Sequence, residues 1–412
     1  PAAAHPPVGI APRTPSTTPR GEPAPLVTSW LDDARARLAA DKLDGWLLAD
    51  WRGENPVAVD VVKPRASPLH RWFYLVGASG EPQLLCHADD AGAFDARKPL
   101  LYRTWRELDA QLKVLLRGKR RVAMEHAPRL PALSRVDGGT IELVRATGVQ
   151  IASSGDLVTT LRARWSDAQL ASHRAAAAAL AAVKDDAFTA IAHGLGRVTE
   201  YDIAKRAEKA AADRGLELAE PLVVAAGAHT ADPGFSPTPD RSERIAPGDL
   251  VLFSAAARQR HVRDAVYADL TWVGFVGERV PDDAAHLFAI ARDERAAVVT
   301  LVAERWKKKQ PVRGYELDDA ARAVAVRAGF GDRLLRPTGH ALDTRRFGDG
   351  PSLDDAVTRD DRQLLLRTGY VVEPGLYVAG AFGVRVAVDL FLAPDGVQTT
   401  PASPQQEIEL IR

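Results

Sequence analysis

The segment GDLVLFSAAARQRHVRDAVYADLTWVG, from Gly248 to Gly274, predicts a β-hairpin. Apolar runs occupy both arms, and a basic tip separates them, formed by Arg258, Arg260, His261 and Arg263. One carboxylate, Asp269, lies deep within the second arm, whereas Ser254, its counterpart on the first arm, carries no charge. This asymmetry makes the hairpin the most informative part of the chain for function.

Length and composition narrow the class of protein. A chain of 412 residues exceeds one typical domain and predicts two. Its 54 basic and 54 acidic side chains cancel, which argues against binding to nucleic acid or an anionic membrane and favours a small neutral partner. The single cysteine, Cys86, excludes an intrachain disulfide and a thiolate metal cluster and is consistent with a cytoplasmic location. No uninterrupted apolar run reaches the length of about 18 residues that predicts a membrane span.

The patterning divides the chain into three parts. Residues 1–27 are rich in proline and predict a disordered tail. Residues 28–160 combine helical periodicity with short apolar strands, which predicts an α/β domain. In residues 161–412, long alanine-rich helices come before and between pairs of strands, which predicts an α+β domain with helices on one face of an antiparallel sheet. Thr199 is the expected N-cap, and Gly215 the expected stop, of the second of these helices.

Four stretches of the second domain place polar residues within or beside predicted strands. They are YADLTW with Asp269, RPTGHALD with His340, VVEPGLY with Glu373 and FGVRVAVD with Arg385. Each residue alone fits a structural role, since an aspartate can cap a turn, a lone histidine is commonly a satisfied core or surface residue, and a glutamate before Pro-Gly can begin a type II turn. The functional argument therefore depends on the order of the four residues along the chain and on the sequence around each of them.

In that order and context the chain resembles the pita-bread metallopeptidases, which include Xaa-Pro dipeptidases (prolidases), Xaa-Pro aminopeptidases, methionine aminopeptidases and the related metal-free creatinase. TGHALD, VVEPGLY and FGVRVAV resemble the TGH, EPG-x-Y and G-x-R-x-E signatures of that family, and DGWLLADWRGENPVA resembles its N-terminal domain. The resemblance runs from about Trp30 to the C-terminus. It implies an α+β pita-bread fold behind an N-terminal α/β creatinase-like domain, and a homodimer.

The family holds two divalent metals, such as Mn, Co or Zn, with ligands in the chain order Asp, Asp, His, Glu, Glu. The resemblance places Asp269, His340 and Glu373 at three of these positions, and it places Ser254 and Ala387 at the first Asp and the last Glu. A hydroxyl is neutral at pH 7, and a methyl group offers no donor atom. The resemblance therefore implies that two-metal hydrolysis fails, and that the cofactor is absent or is a single weakly bound divalent ion.

The auxiliary histidines of the family are replaced as well. Gly234 stands where the resemblance expects the histidine of a Pro-His-Tyr segment, and Phe347 stands where it expects a second histidine. His229 is the nearby histidine that could replace the first of these, and Arg385 is a partner for carboxylates of the substrate or the site. The implied site residues are Glu373, Arg385 and His340 for catalysis, and His229, Phe347 and Arg385 for contact with the substrate.

Three functional hypotheses follow from these departures. The first is a metal-deficient relative of prolidase that binds a small proline-containing peptide, or a similar small molecule, without hydrolysing it. The second is an active Xaa-Pro dipeptidase or aminopeptidase that uses one ion or a rearranged set of ligands. Asp389 is a candidate substitute ligand, but a shift of about 6.6 to 6.8 Å along the strand from Ala387 argues against it. The third is metal-free creatinase-like chemistry or a role in protein interaction.

Overall fold

The structure is a computed structural model that describes residues 30–412. The predicted tail, residues 1–27, lies outside the described residues. The described elements form four β-sheets with helices packed against them. Between residues 30 and 412, no helix has the length and apolar character that crossing a bilayer would require.

The first region is a mixed sheet covered by helices. Its strands are β1 (Gly45–Asp50), β2 (Trp72–Gly77), β3 (Gln83–His87), β4 (Leu100–Tyr102), β5 (Arg121–Met124) and β6 (Gln150–Ser153). Its helices are α1 (Trp30–Ala40), α2 (Pro56–Val62), α3 (Trp105–Leu115), α4 (Gly138–Arg145) and α5 (Gly155–Arg162). The strand order is β4-β3-β2-β1-β5-β6, and the central β1 is buried at every position, as its apolar sequence predicts. The predicted boundary after residue 160 falls within α5, so the division into domains stays a proposal.

The predicted hairpin is confirmed. It consists of β9 (Leu250–Gln259) and β10 (Ala268–Val276), which pair in antiparallel orientation. The register places Ser254 opposite Thr271 and Asp269 opposite Ala256. Because side chains alternate between the faces of a strand, these four residues share one face of the hairpin. Asp269 therefore lies on the same face as Thr271, the residue opposite Ser254, and two residues before it in the strand.

Two helices that precede the hairpin pack on its sheet. They are α6 (Asp167–His193) and α7 (Glu200–Asp213), and the sheet also contains β7 (Leu216–Leu218), β8 (Val223–Ala226) and β17 (Glu409–Ile411). Each helix begins at a capping box, Ser166 with Gln169 and Thr199 with Asp202. Gly215 follows α7 with φ +73°, a left-handed conformation that favours glycine. The predicted N-cap and stop of α7 are thus confirmed.

The second pair of helices, α8 (Asp282–Lys307) and α9 (Gly314–Arg327), packs on another antiparallel sheet. Its strands, in spatial order, are β11 (Gly339–Leu342), β12 (Gly369–Val372), β15 (Val388–Ala393) and β16 (Gly396–Thr400). A separate two-stranded sheet is formed by β13 (Gly375–Val378) and β14 (Phe382–Arg385). Because β10 contacts β12, β14 and β15, the three sheets of this region meet at the hairpin.

Trp165 anchors the strands that carry two of the candidate residues. Its indole is buried, and its Nε1 donates to the carbonyl of Leu342 at 2.9 Å, at the end of β11. A Cβ on Gly369 would lie 2.0 Å from a ring carbon of Trp165, so only glycine fits at the start of β12. This close packing fixes β11 and β12 relative to the beginning of α6.

A buried carboxyl group on α8 gives the fold a pH dependence. Glu294 is fully buried, and neither of its carboxyl oxygens has a hydrogen-bond partner among the described residues. Burial, opposed by Arg322 and reinforced by Asp318, raises the pKa of Glu294 to about 8 from its ordinary value of 4.5. Between those two pH values the folded state binds more protons than the unfolded state, so stability falls as the pH rises.

We therefore expect Glu294→Gln to remove a pH-dependent loss of stability. Relative to the variant, wild type should lose up to about 1.4 kcal/mol of unfolding free energy per pH unit between about pH 5 and pH 8. Urea denaturation at a series of pH values measures this difference. Glu304→Gln, at an exposed position of the same helix, is the control and should leave the slope unchanged. Parallel profiles for wild type and Glu294→Gln would contradict the prediction.

Candidate functional site

The candidate residues meet at the junction of the three sheets. Asp269 lies on β10, His340 on β11, Glu373 directly after β12, and Arg385 at the end of β14. Asp269 and Arg385 are buried, whereas His340 and Glu373 are partly exposed. The folding of strands from separate parts of the chain thus brings these four residues into one cleft.

Arg346 supplies the positive charge that neutralises Asp269. Its Nε donates to Asp269 Oδ2 at 2.7 Å, and its Nη1 pairs with Glu220. The side chain of Asp269 is 0% exposed and that of Arg346 is 19% exposed. Burial alone would lower the pKa of Arg346, but the carboxylates of Asp269, Glu373 and Glu220 outweigh it and raise that pKa. The carboxylate within the second arm of the hairpin therefore has a guanidinium as its partner.

A second guanidinium, that of Arg385, lies beside Glu373. The distance from Arg385 Nε to Glu373 Oε1 is 3.5 Å, and this nitrogen makes no hydrogen bond with the described residues. Burial alone would lower the pKa of Arg385, but Glu373 and Tyr377 raise it above its ordinary value. Arg385 thus stays charged in a buried position, and its contact with a substrate stays a prediction.

Glu373 is also bound by a hydroxyl group of the hairpin. The Thr271 hydroxyl donates to Glu373 Oε1 and lies 2.9 Å from the Ser254 hydroxyl. Two neutral hydroxyl oxygens therefore connect Ser254, at the predicted position of the first ligand, to Glu373. With Arg385 on one side and Thr271 on the other, the charge of Glu373 is compensated within the protein.

The predicted ligand His340 faces Asp269 without bonding to it. Its Nδ1 lies 3.0 Å from the carbonyl oxygen of Ala341, which can only accept, so Nδ1 carries a proton. Its Nε2 is 3.7 Å from Asp269 Oδ2. The ring of Phe347 lies 4.5 Å from the imidazole and is 62% exposed. Phe347 therefore packs on His340, and its role in substrate contact stays a prediction.

The predicted position of the last ligand, Ala387, is surrounded by buried groups. Ala387 is buried between β14 and β15. Asp389 is fully buried, and its Oδ2 accepts a hydrogen bond from the backbone nitrogen of Asp269 at 3.1 Å. Burial, followed by the charge of Asp269, raises the pKa of Asp389 well above its ordinary value. His173, whose pKa is lowered to about 4 by burial, lies 3.7 Å from this carboxyl group. These shifts favour the neutral forms of both groups.

The side chains present do not fit a bridged pair of divalent metals. Ser254 and Ala387 supply no carboxylate, and Asp269 is already bonded to Arg346. Across residues 30–412, no three side chains of His, Cys, Asp or Glu lie together in a way that could hold an ion. The predicted three-ligand position is therefore not assembled in this arrangement, and it stays a prediction that requires Arg346 to move.

A cavity of about 160 Å³ lies in the same region and has a polar lining. Its cationic groups are those of Arg336, Arg346 and Arg385, and it also contains His229 and Gly234. His229 Nδ1 lies 2.9 Å from Glu200 Oε2, and its ring stacks on Phe235 with the centroids 4.2 Å apart. An imidazole thus lines the cavity although Gly234 replaces the expected histidine. Its contact with a substrate stays a prediction.

Sequence reasoning missed three of these residues, namely Arg336, Arg346 and Glu200. The sequence feature that could have pointed to Arg346 is the Arg-Arg pair that follows the TGH stretch. A buried carboxylate without a metal requires another cation, and this pair offers one close to His340 in the sequence. Glu200 gives no separate signal, since an acidic residue is common in the first turn of a helix. The tertiary structure alone reveals that it lies behind His229.

Sequence comparisons identify relatives of this chain. A model of metallopeptidase family M24 matches residues 171–393. A protein named "Probable dipeptidase PepE" from Mycobacterium tuberculosis is 26% identical over 212 residues, which are 51% of this chain and 52% of that protein. An "Xaa-Pro dipeptidase" from Lactobacillus helveticus is 26% identical over 179 residues, or 43% of each chain. The chain spans about half the length of the curated relatives it matches.

Solved structures share the architecture over most of the chain. Dipeptidase PepE from Mycobacterium ulcerans superposes with a TM-score of 0.62 at 20% identity, covering 93% of this chain and 97% of that one. The prolidase from Pyrococcus horikoshii gives a TM-score of 0.55 at 19% identity, with coverage of 92% and 99%. Likeness at such identities shows the fold alone. It confirms the predicted pita-bread fold class.

Proposed function

The chain belongs to metallopeptidase family M24, and we propose that it is a prolidase-like member that binds a small ligand without two-metal hydrolysis. The proposed ligand is a short peptide with a proline, because one relative is named an Xaa-Pro dipeptidase. The observation that carries this proposal is the 2.7 Å ion pair between Arg346 and Asp269. This ion pair supports the proposal because a side chain of the protein neutralises the buried carboxylate of Asp269.

Electrostatics supports the same conclusion. At about 4 Å and an effective dielectric constant of about 20, two unit charges repel each other by about 4 kcal/mol, and a divalent ion beside a guanidinium is repelled about twice as strongly. An ion at Asp269 would have to displace Arg346 or share the carboxylate with it. It would also lack the negative charges that the family supplies at the positions of Ser254 and Ala387. Weak binding of a single ion is the most that this set of charges favours.

The remaining groups suit binding better than bond cleavage. Asp269 is paired with Arg346, and Glu373 accepts a hydrogen bond from Thr271, so both carboxylates already have partners. Activation of water would need a free base or a metal-bound hydroxide. Arg385 keeps a buried nitrogen without a hydrogen bond, which can orient a ligand carrying an acceptor.

An active Xaa-Pro dipeptidase or aminopeptidase is the second candidate. It is favoured by His340 Nε2, which lies only 3.7 Å from Asp269 Oδ2, so two predicted ligands remain adjacent. In this case Arg346 would leave Asp269 and a single ion would take its place. The predicted homodimer and the predicted cytoplasmic location stay predictions under both candidates.

A joint metal and peptidase experiment separates the two candidates. Wild-type protein is titrated calorimetrically with Mn²⁺ and Co²⁺, and Ala-Pro, Leu-Pro and longer Xaa-Pro peptides are assayed with each ion. We expect no tight binding of two equivalents, and hydrolysis no faster than that of a Glu373→Ala control. Tight binding of two ions would contradict the proposal. Metal-dependent hydrolysis that Glu373→Ala abolishes would establish the second candidate instead.

A further inference from the structure

The loop that follows β11, residues 343–350, carries two side chains into the candidate site, and we call it the β11 loop. Arg346 donates from Nε to Asp269 Oδ2 at 2.7 Å. The ring of Phe347 lies 4.5 Å from that of His340. The conformation of this loop therefore decides which guanidinium reaches the buried carboxylate.

Hydrogen bonds close both ends of the β11 loop. Asp343, at its start, is buried, and its carboxyl oxygens accept from the backbone nitrogens of Arg345 at 2.6 Å and Asp349 at 2.7 Å. The carbonyl oxygen of Asp343 accepts from the backbone nitrogen of Tyr267, directly before β10, at 3.0 Å. Near the other end, the carbonyl oxygen of Asp349 accepts from Arg362 Nη1 at 2.8 Å. The loop is therefore a closed unit whose position depends on the contacts at its two ends.

An ion pair connects the β11 loop to the first region of the fold. Arg162, the last residue of α5, places its Nε 2.9 Å from Asp349 Oδ2, and its Nη2 lies 3.0 Å from Asp60 Oδ2 on α2. Gly350 packs beside this pair, because a Cβ at that position would lie 3.5 Å from the Cβ of Ala163. Arg162 thus links two helices of the first region to the loop that enters the candidate site.

Asp349 has a second guanidinium partner, that of Arg345, at its other carboxylate oxygen. The side chain of Arg345 is 54% exposed, whereas those of Arg162 and Asp349 are 21% and 20% exposed. Ion pairs that face the solvent contribute little, because water and salt screen them. We therefore expect the pair with Arg162, and not the pair with Arg345, to hold the loop.

We propose that Arg162 is a positioning residue of the candidate site, which acts on Arg346 through the β11 loop. By holding Asp349, Arg162 fixes the loop conformation in which the guanidinium of Arg346 reaches its carboxylate. Arg162 does not line the cavity of about 160 Å³, so its effect on the cleft passes through the loop. Without the pair, the loop opens locally more often, and Arg346 leaves Asp269 more often. The inference rests on the proposed function only in taking the Arg346–Asp269 pair as the resting state of the cleft.

Modification of arginine by phenylglyoxal tests this inference, because a released guanidinium reacts faster than one paired with a buried carboxylate. The rate at Arg346 is measured by mass spectrometry on the folded protein with EDTA present. We expect Arg162→Met, which keeps a long side chain without its charge, to raise this rate about fivefold, as loss of a partly shielded ion pair should. Asp349→Asn removes the other partner of the same pair and should give a similar increase.

Two further variants show whether the effect depends on the geometry of this pair. Arg345→Met removes the exposed partner of Asp349 and should leave the rate at Arg346 nearly unchanged. Arg162→Lys keeps the charge but loses the two-sided contact of the guanidinium with Asp60 and Asp349. Its rate should fall between those of wild type and Arg162→Met. If Arg162→Met does not fold, Asp349→Asn and Arg162→Lys carry the test.

A double variant tests whether Arg162 acts through the buried pair. In Asp269→Asn the carboxylate that holds Arg346 is absent, so the rate at Arg346 should already be raised. Adding Arg162→Met should then change this rate by less than about twofold, because the two substitutions release the same group. A full increase in the Asp269→Asn background would overturn the inference, since Arg162 would then not act through the pair.

The outcomes separate this inference from the proposed function. Equal rates at Arg346 in wild type, Arg162→Met and Asp349→Asn would overturn the inference, as would equal increases in Arg162→Met and Arg345→Met. Metal-dependent hydrolysis of Ala-Pro by wild type, together with a rate at Arg346 that depends on Arg162, would reject the proposed function and leave the inference intact. No hydrolysis, together with a rate that is independent of Arg162, would support the proposed function and overturn the inference.

Discussion

Arg346→Ala should lower the free energy of unfolding by about 3 to 5 kcal/mol, and Mn²⁺ should recover part of that loss. The substitution removes the guanidinium that lies 2.7 Å from the carboxylate of fully buried Asp269. An unpaired charge in that position is costly, and a divalent ion is the available replacement. Denaturant unfolding of wild type and variant, each with and without Mn²⁺, measures both effects. Mn²⁺ should stabilise the variant more than wild type.

The neighbouring residue provides a matched control for this substitution. Arg345 pairs with Asp349, and its side chain is 54% exposed. Because exposed ion pairs contribute about 0 to 1 kcal/mol, Arg345→Ala should have a small effect and no response to Mn²⁺. Equal losses in the two variants would mean that the buried pair is not the source of the stability. A folded Arg346→Ala protein without any response to Mn²⁺ would mean that Asp269 cannot recruit an ion.

Placing carboxylates at the two predicted ligand positions, Ser254 and Ala387, should make the fold depend on metal. In the triple variant Ser254→Asp, Ala387→Glu and Arg346→Ala, two new carboxylates join Asp269 and Glu373 at buried positions. Mutual repulsion and desolvation should make the metal-free protein much less stable than wild type. Mn²⁺ at about a thousand times its dissociation constant should return about 4 kcal/mol. Unfolding curves with and without Mn²⁺, together with Ala-Pro hydrolysis, measure this gain.

The control for the triple variant places a carboxylate next to the restored site. Ala256 is buried on the same face of the hairpin, directly opposite Asp269. A variant with Ala256→Asp in place of Ser254→Asp therefore adds the same number of charges with different geometry. It should be destabilised without a comparable recovery in Mn²⁺. If both variants respond equally to Mn²⁺, or neither responds, the ligand positions inferred for Ser254 and Ala387 are wrong.

The arrangement of charges explains how the buried carboxylate of Asp269 is compensated by the chain itself. The side chain of Asp269 lies within a buried strand, where an uncompensated charge would destabilise the fold. Arg346 supplies one positive charge through the chain itself, and Arg385 supplies another beside Glu373. Each guanidinium is covalently attached, so its presence does not depend on the concentration of free ions.

Much of the fold was accessible from local patterns in the sequence. The hairpin of β9 and β10 follows from two apolar runs separated by a basic tip, and the caps of α6 and α7 follow from residues at fixed short spacings. These features depend on neighbours within a few positions. The register was less accessible, since Ser254 faces Thr271 and not Asp269. Pairing between strands depends on the turn and on packing against the other sheets.

The sequence by itself determined which donor atoms the cleft has, because the absence of a carboxylate at Ser254 and Ala387 is a property of those residues alone. The tertiary structure alone decided which cation pairs with the buried carboxylate of Asp269. Arg345 and Arg346 are chemically identical neighbours, and only the path of the loop after β11 directs the second of them to a carboxylate 77 positions away. Backbone geometry and burial decide which charges pair across long distances in the sequence. Two adjacent arginines look alike in the sequence, so the sequence does not show which of them pairs with Asp269.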